Sequence, residues 1–67
     1  MNAEYLIKMA NQIALNLAYE QDPERRADMV AGHIRKFWEP RMIEALLAVD
    51  PAHPDLSPCV VAVLTRL

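Results

Sequence analysis

Hydrophobic residues in this chain recur every three to four positions, broken by short polar stretches that hold the prolines, and that rhythm predicts helices throughout. From Ala3 to about Tyr19, a stripe of Leu6, Ala10, Ile13 and Leu17 is widened by Ile7, Met9, Ala14 and Ala18. Asn2 stands as the N-cap, and Met1 with Leu6 occupies the positions of a hydrophobic staple. Glu4 and Lys8 pair favourably one turn apart on a narrow polar edge. The apolar arc is wider than one core needs.

Asp22-Pro23-Glu24 opens a second helix: Asp22 caps it, Pro23 takes the first position where its missing N–H costs nothing, and Glu24 suits the helix dipole. Its buried stripe is expected to be Ala27, Val30, Ile34 and Phe37, with Arg25, Asp28, Gly32, Arg35 and Lys36 opposite. Gly32, in mid-helix, costs about 1 kcal/mol against alanine. It reads either as a place where another backbone comes close or as a tolerated defect.

Pro40 disfavours helical geometry at Glu39, so the second helix should end or kink near Trp38. A third helix follows from Pro40 to about Val49, with Met42, Ile43, Leu46, Leu47 and Val49 as its apolar face. After a loop from Asp50 to Asp55, Ser57 caps a last short helix that Pro58 begins, and Leu56 with Val61 forms a second staple. Val60, Val61, Leu64 and Leu67 are expected to close the bundle. The fold class is therefore all-α: one domain over residues 1–67, built as a small bundle of three to four short helices with a proline corner between the second and third.

Composition sharpens this picture, because a chain of 67 residues that is 54% apolar is too small to hide all of its hydrophobic surface. Domains of this size bury only about 60% of the surface their unfolded chains expose, and they usually rely on a disulfide, a metal or a partner. One cysteine, Cys59, allows no internal disulfide, and the histidines, Cys59 and acids show no metal-ligand spacing. A protein partner is the support that remains. With no hydrophobic run long enough to cross a membrane and no secretory signal, the chain is expected to be cytoplasmic. Its formal charge of -2 argues against nucleic-acid or anionic-membrane binding. Arg25, Arg26, Arg35, Lys36 and Arg41 on two helices joined by a bend fit a helix-turn-helix DNA binder only loosely.

Candidate chemistry is sparse. His33, beside the buried stripe, reads as a partly buried core histidine rather than a ligand or base, and His53 as a solvated loop residue. Cys59, near a helix start, reads as a small buried hydrophobe rather than a reactive thiol. The most specific segment is Phe37-Trp38-Glu39-Pro40-Arg41-Met42, which gathers residue types enriched at interface centres around a rigid corner. Phe37 is expected in the core there, while Trp38 fits core and interface equally well.

Together with Met9-Ala10-Asn11-Gln12-Ile13, the run from His33 through Met42 resembles the delta subunit of bacterial NAD-dependent, molybdenum-containing formate dehydrogenases. The resemblance spans about Leu6 to Leu47. It departs from the family where Ala14-Leu15-Asn16-Leu17 replaces a glycine and an aromatic pair. It implies a non-catalytic accessory subunit, without cofactors of its own, that binds and stabilises the large molybdenum-binding subunit or assists its assembly. Met9, Asn11, Gln12, Trp38, Pro40, Arg41 and Met42 are the partner-binding candidates it carries. The alternative functions are a transient factor for molybdenum-cofactor insertion and, further off, a small DNA-binding regulator. In isolation, the uncovered apolar face is expected to drive self-association.

Overall fold

The computed structural model describes residues 2–67, in which four helices pack around one hydrophobic core. Helix α1 spans Ala3–Asn16, and the side chain of Asn2 accepts a hydrogen bond from the Glu4 N–H at 2.9 Å, as an N-cap does. The expected staple partner Met1 lies outside the described residues. The helix stops at Asn16, short of Tyr19, because the chain tightens into turns: the N–H of Ala18 donates to the Leu15 carbonyl and that of Glu20 to the Leu17 carbonyl, both at 3.1 Å.

Helix α2, Pro23–Phe37, begins at the Asp22-Pro23 signal, with an Asp22 oxygen accepting from the Glu24 N–H at 3.0 Å. It ends where Trp38 and Glu39 both take extended backbone, the conformation that Pro40 favours at the residue before it. Helix α3 then runs Pro40–Leu47 and α4 runs Pro58–Leu64, the latter capped by the Ser57 hydroxyl, which accepts from the Val60 N–H at 3.3 Å. The expected proline corner therefore stands between the second and third helices.

Leu6, Ile7, Ala10 and Ala14 of α1 are buried, so the core stripe is rotated toward Ile7 and Ala14, and Ile13 and Leu17 are only half-buried. On α2 the buried set is Ala27, Val30, Ala31 and Ile34. With alanines turned inward on both long helices, their backbones can approach closely. Leu46, Leu56, Val60 and Val63 fill the remaining interior. Val63 thus stands beside Val60 at the centre of the α4 face, while Val61, Leu64 and Leu67 pack at its edge.

At the corner the expected place of Phe37 is reversed, and of the two places open to Trp38 the core is the one taken. Phe37 is 65% exposed, whereas Trp38 is 8% exposed and joins the core. The helical repeat carried Phe37 to the end of the buried stripe, but the helix terminates there, and the extended backbone of the next residue swings the indole inward instead. His33 is exposed rather than partly buried, and its ring packs on Phe37 with centroids 4.7 Å apart.

Long-range polar contacts tie the helices together. Both Nε and Nη2 of Arg26 donate to the Ala14 carbonyl, at 3.1 and 2.6 Å, satisfying an acceptor in the last turn of α1. Asn11 clamps the loop before α4: its Nδ2 donates to the Asp55 carbonyl at 2.7 Å and its Oδ1 accepts from the Ser57 N–H at 3.1 Å. At the C-terminus, the Arg66 guanidinium binds Asp28 at 2.6 Å and also Glu24. The Arg66 carbonyl accepts from Arg35 at 2.6 Å. The Asp28 hydrogen bond and the neighbouring negative charges hold Arg66 above its already high ordinary pKa, against the opposing effect of desolvation, so it stays charged.

No helix among the described residues is long and apolar enough to cross a membrane.

Candidate partner interface

The partner-binding candidates named from the sequence form two groups along the chain, one on α1 and one at the proline corner. Asn11 sits on α1 facing the loop before α4, and both ends of its amide are engaged within the chain. Met9 is half-buried and packs against the core from the same helix. Gln12 is exposed, and its Nε2 donates to the Asn16 side chain one turn on, at 3.2 Å.

The second group lies at the proline corner. Pro40 and Arg41 are exposed at the start of α3, and Met42 is half-buried against the core. Trp38 has most of its ring area committed to the interior, so it supports the corner from within. The aromatic surface offered to solvent is that of Phe37, with the His33 ring against it and the Lys36 ammonium 5.5 Å from its centroid. Sequence periodicity placed Phe37 inside and so missed it. A clue was available in the proline two residues after Trp38, which ends the helix before its repeat can continue.

Elsewhere, Tyr5, Leu15, Tyr19 and Leu47 also stand largely exposed. Single exposed apolar residues are ordinary on a protein surface, but five large ones among the described residues leave much hydrophobic area uncovered.

Shallow clefts are present as well. One, of about 420 Å³, is lined by Glu4, Ile7, Lys8, Asn11 and Asp55. A second, of about 410 Å³, includes Ala14, Arg26, Pro58 and Cys59. Asn11, which lines both, is engaged in the loop clamp, and Arg26 of the second in the α1 cap. Cys59 is half-buried, a less enclosed position than its apolar neighbours implied. His53 is half-buried too, its Nδ1 accepting from the Asp55 N–H at 3.1 Å, so it shapes the loop rather than resting in solvent. No group of three or more histidine, cysteine or acidic side chains among the described residues is arranged to hold a metal ion.

Residues 5–64 match the family described as NADH-dependant formate dehydrogenase delta subunit FdsD. No curated protein and no solved structure matches the chain.

Proposed function

The chain belongs to the family of formate dehydrogenase delta subunits, and from that premise we propose that it is a non-catalytic accessory subunit that binds the large molybdenum-binding subunit and stabilises it. The match over residues 5–64 carries this reading, since it takes in both helices and the corner that bear the family-like segments. The exposed Tyr5, Leu15, Tyr19, Phe37 and Leu47 support it physically: a bundle of this size gains from a larger neighbour that removes such surface from water. The chain would hold no cofactor, leave formate oxidation to the other subunits, and work with them in the cytoplasm.

A pull-down of the tagged chain from native extract tests this. The expected result is recovery of the large subunit at constant stoichiometry through every stage of purification. Fully active enzyme that carries none of the chain would overturn the structural role. A much tighter grip on the cofactor-free than on the mature large subunit would move the function to cofactor insertion, because a ligand shifts only an equilibrium whose states it distinguishes.

A further inference from the structure

Helix α2 carries a second stripe on the side not used by its core residues. Successive residues turn by about 100°, so Met29, Gly32, His33, Lys36 and Phe37, spaced i, i+3, i+4, i+7 and i+8, share one side over about 12 Å. This spacing is that of a packing face, yet no helix among the described residues covers the exposed His33, Lys36 and Phe37.

Three features give the face its character. The Phe37 ring stands 65% exposed but is braced by His33 and Lys36, so seating it in a pocket costs little additional ordering. At Gly32, an added Cβ would meet nothing within 4 Å, so no neighbour among the described residues explains the glycine, and the surface has a notch there. The charge left on the stripe is that of Lys36, which is exposed and joins no ion pair among the described residues: the α2 acids Glu24 and Asp28 are bound to Arg66, and Arg25 at the border pairs with Glu20 at 3.8 Å.

We infer that this stripe is the docking face for an α-helix of the large subunit, whose apolar ridge crosses the Gly32 notch, receives Phe37 and places a carboxylate opposite Lys36. A ridge passing over a glycine flanked by larger side chains is the ridges-into-grooves arrangement, with the axes brought closer by the missing side chain. Lys36 selects for acid at the rim, since charge complementarity fixes register and partner. The exposed residues of α1 make a poorer anchor: Tyr5 and Leu15 lie about 15 Å apart along the helix, with exposed Lys8 and Gln12 between them. This inference rests on the subunit reading above and deepens it.

The test measures, for each variant of the full chain, its affinity for large subunit prepared without it and the melting temperature of the free chain. Phe37→Ala is expected to weaken binding at least about thirtyfold, as loss of an interface hot spot does, with little change in melting. Gly32→Ala is expected to raise the melting temperature by about 4 °C, because alanine favours helix, and yet to weaken binding about tenfold by filling the notch. Lys36→Glu should weaken binding and reverse its salt dependence.

Wild-type affinity in both Phe37→Ala and Gly32→Ala, with the unmodified chain binding, overturns the docking face and leaves the subunit reading standing. Absence of binding by the unmodified chain overturns the subunit reading itself. If Phe37→Ala instead turns a self-associating chain into a monomer and leaves large-subunit affinity intact, the face belongs to a second copy and the inference falls.

Discussion

Trp38 and Phe37 are adjacent aromatics with opposite surroundings, and truncating each in turn separates core from surface within two positions. Trp38 is 8% exposed, so about 200 Å² of its side chain leaves water on folding. At about 25 cal/mol per Å² that burial stabilises the fold by about 5 kcal/mol, and removal of a buried tryptophan side chain costs about 3–5 kcal/mol. A chain of 67 residues at about 0.05–0.15 kcal/mol per residue has a total stability of roughly 3–10 kcal/mol. With one cysteine it can form no internal crosslink, so it should lie toward the lower end of that range.

Trp38→Ala is therefore expected to leave the isolated chain largely unfolded at room temperature, while Trp38→Phe keeps the fold and melts several degrees lower. Phe37→Ala, at a 65% exposed position, should stay within about 0.5 kcal/mol of the unmodified chain. Thermal and urea unfolding followed by far-ultraviolet circular dichroism gives all three values. A Trp38→Ala chain that loses less than about 1 kcal/mol, or a Phe37→Ala chain that loses more than it, would refute the assignment of the core at this corner.

Further expectations follow from the polar ties. Arg26→Ala removes both hydrogen bonds to the Ala14 carbonyl and should cost about 1–2 kcal/mol, read as a lower urea midpoint; an unchanged midpoint would mean water replaces the guanidinium without loss. Asn11→Ala should cost a similar amount, about 1–2 kcal/mol, and speed amide exchange at Ser57. Asn11→Asp keeps an acceptor for Ser57 but sets a carboxylate against the Asp55 carbonyl, so it should not restore stability; full recovery would argue that only the Ser57 bond matters. Ser57→Ala should lose about 1 kcal/mol through its cap on α4, detectable in the same unfolding experiment.

The helix starts were legible in the sequence because their causes are local. Asn2, Asp22-Pro23 and Ser57-Pro58 each act within three residues of themselves, and all three caps form. Pro40 likewise announced the end of α2. The same proline undid the reading of Phe37 and decided the open one of Trp38, since a repeat of 3.6 residues predicts facing only while the helix lasts. The exposure of His33 escaped for a related reason, as its packing partner Phe37 lies on the surface. Arg26 to Ala14, Asn11 to Asp55 and Ser57, and Arg66 to Asp28 and Glu24 join residues far apart in sequence, and no local pattern marks which arginine or asparagine will reach a distant partner. The candidate site was legible as a segment, the corner around Pro40, but the side chain it presents depends on where one helical turn ends.

The central claim, that this bundle is completed by the large subunit of a formate dehydrogenase, is tested most directly by mixing the purified chain with that subunit prepared without it and following the two by sedimentation. Co-migration as a one-to-one complex at micromolar concentration is the expected result, accompanied by protection of α2 amides from exchange. Two independent boundaries at every concentration, with α2 exchanging as in the free chain, would contradict it.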